Sequence, residues 1–422
     1  MSDVNDGSNR TAELLQKVTA TAFGRYQSAI IRIGFSATWL FFLLREIPHR
    51  HELYGPDGPW SWQMADTFIS DNDAFTVLMW SDGRLWFEIV YAVSVLASLG
   101  LCLGWRTRTM SALFMVGVLS LQNRAIFVGD GGDNVIHIMA LYLLVTRCGQ
   151  VWSLDARRAR TAPDAPDRVG PVLWVVTGTA LLLATVENRT GLFVLLVLWG
   201  MWVGLALWWL VNRPGAAVQP RVLLDTLANI GHNAGLVIIM AEVCLIYATA
   251  GWYKIQGSRW GDGTALYYTL ELDYFAPWPA LSEFLGSHGL MVMALTYGTV
   301  IVQVAFPFTL FNRRVKNVLL VVMIAEHAAI AVIMGLPFFS MAMIAADAVF
   351  LPTAFLLWLG VRVTRGRDRL LTRVGRRPNT GDGDGGGGGG GDGGDGGAKG
   401  GTGAVLPEQR TGDSGQPRTL VG

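Results

Sequence analysis

One lysine of this chain lies where a basic side chain could do chemistry. Lysine is rare here, since only four of the 33 basic residues are lysines and the rest are arginines. Arginine keeps its proton at ordinary pH, whereas a partly desolvated lysine amine can lose it. Lys254 directly follows the apolar segment 231–253, and Tyr247 and Ala250 share its helical face. The pattern predicts a base or substrate contact at Lys254, and a snorkelling membrane anchor is the alternative.

A histidine and two acids interrupt the last two apolar segments. Glu326 and His327 lie in segment 317–336, and Asp347 lies in segment 339–360. The connection between these segments is too short for anything but a tight hairpin, so the two helices must be antiparallel neighbours. A charged side chain in a membrane span costs a few kcal/mol. We therefore predict that His327 and Asp347 face one another, either to handle protons or to form a packing hydrogen bond.

Other polar residues in apolar segments have structural interpretations. Arg32 is expected to snorkel to the membrane surface, and Glu88 and Glu187 lie near segment ends, where water is close. The three cysteines have no CxxC spacing and no neighbouring histidine cluster. Neither a disulfide framework nor a metal site is predicted.

The composition decides which elements must hold these residues. Apolar residues make up 51% of the chain, charged residues only 15%, and the mean hydropathy is +0.38. A soluble fold of this length needs about a quarter of its residues charged. The net charge of +1 gives no basic field for nucleic acid. An all-α, polytopic membrane protein is predicted, with the lipid bilayer as its partner and no nucleic acid.

Segment lengths predict about ten transmembrane helices. They cover residues 27–44, 86–104, 108–123, 134–148, 171–186, 191–211, 231–253, 289–311, 317–336 and 339–360. Arginines collect in the even-to-odd connections and acids in the alternate ones, which by the positive-inside rule places both termini in the cytoplasm. The expected location is the cell membrane, with Lys254 at the outer face.

The predicted organisation has four parts. Residues 1–23 form a cytoplasmic N-terminal segment, 24–360 the transmembrane domain, 361–380 an arginine-rich cytoplasmic segment, and 381–422 a Gly/Asp-rich tail. The tail lacks apolar residues that could seed a core, so it is expected to be disordered.

Several short motifs together resemble the horizontally transferred transmembrane (HTTM) domain family. This family includes the membrane part of vitamin K-dependent gamma-carboxylases and the bacterial sporulation-delaying protein B group. The similar stretches, in order, are Tyr54-Gly55-Pro56-Asp57-Gly58, Gly132-Asp133-Asn134, Val151-Trp152-Ser153-Leu154-Asp155, Ala250 to Ile255 with Trp260 to Leu266, and His327 through Phe338-Phe339-Ser340 to Met343. Order and spacing across residues 24–352 carry the resemblance.

The resemblance implies a site. In the carboxylases the lysine of the matching motif deprotonates a reduced quinone, and that motif falls on Lys254, while the histidine before the Phe-Ser pair corresponds to His327. Substrate-pocket candidates are Asn134, Tyr247, Trp260 and Asp347. The carboxylases continue into a large extracytoplasmic β-rich domain, whereas this chain continues into arginines and glycines. Carboxylation of a protein substrate is therefore not expected.

Three functions are compatible with these observations. The first is action on a quinone or lipid, or maturation of an exported peptide, in an outward-facing pocket with Lys254 as base and His327 as its partner; as an enzyme it would use carboxylase- or epoxidase-like chemistry. The second is a non-catalytic membrane scaffold or partner subunit. The third is a transporter, but no internal repeat relates the two halves of the chain.

Overall fold

The computed structural model describes residues 12–56, 58–162, 167–187, 190–213, 215 and 217–375, and side chains up to residue 369. Every regular element within these ranges is a helix and none is a strand. The predicted all-α class is confirmed. Residues 1–11, the end of the arginine-rich segment and the tail 381–422 lie outside the described residues.

Eleven longer helices form the framework. They are α1 (Arg25–Arg45), α2 (Arg84–Leu103), α3 (Thr107–Arg124), α4 (Gly131–Val145), α5 (Val169–Val186), α6 (Leu192–Val211), α7 (Val218–Gln256), α8 (Gly289–Ala305), α9 (Arg313–Ile333), α10 (Pro337–Asp347) and α11 (Thr353–Gly375). Shorter helices cover 12–20, Arg50–Tyr54, Trp62–Asp71, Leu154–Thr161, Ser258–Gly261, Ala265–Leu270 and Pro279–Gly286. Short 3-10 segments lie at Ile47–His49, Val77–Trp80, Asp273–Phe275, Phe306–Phe311 and Ala348–Phe350.

The helix lengths are those of a multi-pass membrane protein. Among the described residues, seven helices are long and apolar enough to cross a bilayer: α1, α2, α5, α6, α7, α8 with its 3-10 extension, and α9. Helix α4 has only 15 residues, and it begins and ends three residues earlier in the chain than predicted. It ends at Val145 because the backbone is extended at Thr146. Helix α3 has the predicted position but is not among the seven. The count of ten spans stays a prediction.

The segment predicted as the tenth span is not one straight helix. Pro337–Phe350 and Thr353–Arg369 are bent by 119° relative to each other. Pro352 has no backbone N–H to donate, and a residue before proline avoids the helical conformation. Leu351 is accordingly extended, with ψ at 136°. The prediction of one helix over 339–360 was wrong because hydropathy depends on side-chain polarity and does not detect a turn in the backbone.

The chain divides into a compact unit at residues 1–365 and a second unit from residue 366. Helix α11 includes the first part of the predicted arginine-rich segment, so residues 361–375 are helical. Within the second unit, Arg367 donates to Asp368 at 2.9 Å.

Helix α10 lies at the centre of the first unit, where it packs against α1, α4, α7 and α9. Its small side chains let it pack closely there, and Ala342 and Ala346 are fully buried. The closest approach is to α1, where a Cβ added at Gly34 would lie 2.5 Å from the Cβ of Ala345. Small residues therefore let this short helix enter the bundle, as is common between membrane helices.

The helices alternate in direction, which gives the unit two ends. We call one of them the Arg32 end, where the start of α1 lies beside the ends of α2 and α10. Lys316, near the start of α9, donates to the carbonyl of Phe350 at this end. The opposite Lys254 end carries the starts of α4 and α10 and the end of α7. Arg45, at the end of α1, lies 4.5 Å above the Phe338 ring at this end.

Arg32 does not snorkel. Its side chain is fully buried and donates to four backbone carbonyls, those of Leu101, Cys102 at 2.7 Å, Cys148 at 3.2 Å and Trp152 at 2.7 Å. These carbonyls lie at the end of α2 and in the connection after α4, where helices leave acceptors unpaired. The charge is thus satisfied inside the protein instead of at the membrane surface.

A cap of short helices covers the Lys254 end of α7. This cap, residues 258–286, packs on the first half of α8, where Tyr297 donates to the carbonyl of Gly261 at 2.9 Å. Pro277 of the cap also reaches Gly335 in the connection between α9 and α10. Because α8 rises about 20 Å from Gln303 back to its start, Lys254 lies beneath the cap and not at the tip of the bundle.

Candidate functional site

A tyrosine, a histidine and an aspartate meet in the interior of the bundle. The hydroxyl oxygen of Tyr247 on α7 lies 3.0 Å from Nε2 of His327 on α9 and 3.1 Å from Oδ2 of Asp347 on α10. All three side chains are buried, at 3% exposure or less. We call this group the buried triad. His327 and Asp347 do come together, but Tyr247 stands between them.

The position of Tyr247 constrains the protons of the triad. A tyrosine hydroxyl has one proton to donate, so it donates to one neighbour and must accept from the other. When Asp347 is ionised, Tyr247 donates to the carboxylate and His327 donates from Nε2. When Asp347 carries a proton, the acid donates to Tyr247, which then donates to Nε2.

A second polar chain lies nearer the cap. Nζ of Lys254 donates to Oε1 of Gln303 on α8 at 2.9 Å, and Nε2 of Gln303 donates to Oε1 of Glu326 on α9 at 2.8 Å. The ring of Trp260, from the cap, lies 5.2 Å from Nζ. We call Lys254, Gln303 and Glu326 the lysine chain. The amide of Gln303 separates the cation from the acid, so they form no direct ion pair.

The two groups share helices but are distinct. Lys254 and Tyr247 are two turns apart on α7, a rise of about 10 Å, and Glu326 and His327 are consecutive on α9. The partners of His327 in the described hydrogen bonds belong to the triad and not to the lysine chain. The predicted pairing of Lys254 with His327 is therefore not a direct contact.

Two buried atoms of the triad have no hydrogen-bond partner among the described residues, Nδ1 of His327 and Oδ1 of Asp347. Oγ of Ser340, two turns before Asp347 on α10 and so about 10 Å away along the helix, is also without one. Buried polar atoms nearly always have a partner, often an ordered water. The triad therefore has unused hydrogen-bonding capacity at both of its ends.

The cap carries an acid and a cation that contact each other. The hydroxyl and backbone N–H of Thr264 both donate to Oδ1 of Asp262, the latter at 3.0 Å, and the hydroxyl bond holds the pKa of Asp262 below its usual value. Arg259 lies 3.7 Å from the same carboxylate and stacks on Tyr268. These contacts within the cap stabilise its fold.

The structure separates the other candidates from the triad. Asn134 is exposed in the first turn of α4 and makes none of the described contacts with the triad or the lysine chain. Glu88 forms an ion pair with Arg50 at 2.7 Å. Two surface cavities, of about 350 and 320 Å³, are lined by residues that include Trp60 and Arg147 respectively, and neither is lined by Lys254.

Sequence reasoning missed two buried polar residues. Gln303 is the bridge of the lysine chain, and Ser340 carries one of the partnerless buried atoms. Gln303 was detectable, since it is a polar residue inside an otherwise apolar segment. Ser340 had no such signal, because serine is common in membrane helices and usually bonds its own backbone.

Within the part of the chain that the structure describes, no three His, Cys, Asp or Glu side chains are grouped so as to hold a metal ion. Comparisons with protein-family models, with curated proteins and with solved structures found no match to this chain.

Proposed function

We propose that this chain is a multi-pass membrane protein of the HTTM type whose Lys254 end faces the outside of the cell, and that Lys254 is the base of an acid–base site there. The substrate class is a quinone or lipid with an acidic hydroxyl, or an exported peptide. The single observation that carries the proposal is the setting of Lys254, held by a neutral amide beneath an aromatic cap.

The contact with Gln303 suits a residue that changes its protonation state. An amine N–H can donate to Oε1 of Gln303 whether the group is neutral or an ammonium. The amide therefore orients Nζ in both states, whereas a carboxylate in its place would favour the ammonium. Glu326 accepts from the other end of the Gln303 amide, so its ionised carboxylate would offer a negative charge after Lys254 has taken a proton.

The residues around Lys254 fit a reduced quinone in chemical character. Such a group would supply an acidic hydroxyl at the end of a planar ring. Trp260 offers a flat face beside Nζ. This side chain would bind the ring and direct its hydroxyl to the amine, and the cap would keep water from the site.

The test is a comparison of cells that carry the wild-type chain, Lys254→Arg or a deletion. Exported peptides and lipid extracts are compared by mass spectrometry. Arginine keeps the charge but cannot act as a base at ordinary pH, so we expect at least one product mass of the wild type to be lost in both mutants. Lys17→Arg, an exposed change of the same kind, is the matched control. Wild-type product levels in Lys254→Arg would refute the base.

A non-catalytic scaffold is the second candidate, and the same cation–π contact favours it. Lys254, Trp260, Trp252 and Tyr253 together have the composition of an aromatic belt at a membrane interface. In that role arginine would replace lysine without loss. The experiment above therefore separates the two candidates.

A further inference from the structure

The carboxyl group of Asp347 is buried without a cation. Its side chain is fully buried, and its one hydrogen-bond partner among the described residues is the Tyr247 hydroxyl. Its other oxygen has no described partner. An ionised carboxylate in such a place costs several kcal/mol unless it is paired. Glu326, the acid that acts on it electrostatically, belongs to the lysine chain.

From this geometry we propose that the buried triad is a proton-binding site, with the proton stored on Asp347 and relayed through Tyr247 to His327. The ligand is a single exchangeable proton. The proposal does not depend on what Lys254 acts upon, and it makes the triad a proton reserve beneath the lysine chain.

The relay balances atom by atom. In the loaded state Asp347 donates from Oδ2 to Tyr247, Tyr247 donates to Nε2 of His327, and the remaining ring proton of His327 is on Nδ1. On release, the Asp347 proton passes to the Tyr247 oxygen, the Tyr247 proton passes to Nε2, and the Nδ1 proton leaves. Asp347 is then ionised, Tyr247 is again a neutral hydroxyl, and His327 is the neutral Nε2–H tautomer. One proton has therefore left the triad.

The partnerless atoms lie where this relay needs them. Nδ1 of His327 is the atom from which the proton departs, and Oδ1 of Asp347 is the oxygen on the side away from Tyr247. A bound water at either end would therefore connect the triad to its surroundings.

The test is infrared spectroscopy of the full chain in lipid nanodiscs at neutral pH. We expect the carbonyl band of a protonated carboxylic acid, shifted by ¹³C-aspartate labelling and unaffected by ¹³C-glutamate labelling. Asp347→Asn should remove this band, and Glu326→Gln, the matched change in the lysine chain, should leave it. Tyr247→Phe should move the band to higher frequency, because the acid loses its acceptor.

Nitrogen NMR of ¹⁵N-histidine tests the relay. The His327 signal, assigned by its loss in His327→Gln, should be that of the Nδ1–H tautomer while the acid band is present and that of the Nε2–H tautomer once alkaline pH has removed the band. The absence of an aspartic acid band from the wild-type chain at neutral pH would overturn the proposal that Asp347 stores a proton. This measurement does not depend on whether any variant folds. A tautomer that does not follow the band would overturn the relay.

Discussion

At the scale of single residues, buried polar side chains in this protein are held by specific partners and not by water. Arg32 is the largest example, because one guanidinium occupies four carbonyls, two at the end of α2 and two in the connection after α4. The planar fork of arginine makes such a pattern, whereas the ammonium of lysine has only three donors around a point charge. The Arg32 end of the bundle therefore depends on this side chain.

We expect Arg32→Lys to lower the free energy of unfolding by about 2 kcal/mol, since hydrogen bonds to charged groups contribute roughly 1.5–3 kcal/mol each and at least one carbonyl is left unpaired. Thermal unfolding in detergent measures the change. Arg25→Lys, at an exposed position of the same helix, should stay within about 0.5 kcal/mol of the wild type. Equal stabilities of the two variants would contradict the bridging role of Arg32.

At the scale of elements, α10 is the helix on which the site depends. It is too short to be a typical span, yet it contacts four other helices and contributes both Asp347 and Ser340. Its depth in the bundle requires close contact with α1, which in turn requires glycine at position 34. The 119° bend between Pro337–Phe350 and Thr353–Arg369 then ends α10 at the Arg32 end.

A pair of glycine substitutions tests this packing. Gly34→Ala would place a Cβ at 2.5 Å from that of Ala345, and should destabilise the protein by about 1–3 kcal/mol through overpacking. Gly200→Ala, inside α6 with no atom within 4 Å of the added Cβ, should be neutral or stabilising by up to about 1 kcal/mol. Unfolding in detergent compares them, and a tolerated Gly34→Ala would mean that α1 and α10 separate more easily than described.

At the scale of the whole molecule, the basic connections gather at one end. Arg106 is paired with Asp167, Arg147 with Asp225, and Lys316 with the Phe350 carbonyl at the Arg32 end. Tryptophans lie beside the cations there, with Arg108 at 3.6 Å from the Trp208 ring. Basic connections are typical of the cytoplasmic side, which is the basis for the proposed orientation, whereas tryptophans are enriched at both membrane interfaces.

Cysteine labelling in intact cells tests the orientation, with Cys102, Cys148 and Cys244 first replaced. Ser258→Cys, exposed in the cap, should react with a membrane-impermeant maleimide from outside. Gln219→Cys, exposed at the start of α7, should react only after permeabilisation. The reverse pattern would place the Lys254 end in the cytoplasm and contradict the proposed outward-facing site.

The sequence was sufficient for much of the helical framework and for part of the site. Most predicted segments correspond to observed helices because a long apolar run is a local property. The tight hairpin placed His327 near Asp347 for the same reason. The partner of Lys254 was not predictable, since Gln303 lies 49 positions away on a helix whose rotation hydropathy does not specify. Tyr247 was identified as sharing the face of Lys254, but its contacts are with the triad.

The sequence by itself therefore determined that the part of the chain described by the structure is all-helical, where its apolar segments lie, and that its scarce lysines make Lys254 distinctive. Only the tertiary structure decided which polar residues meet. Depth, tilt and rotation of a helix depend on packing against its neighbours and on where small residues permit close approach. For that reason Lys254 lies beneath a cap, and the buried triad and the lysine chain are two groups and not one.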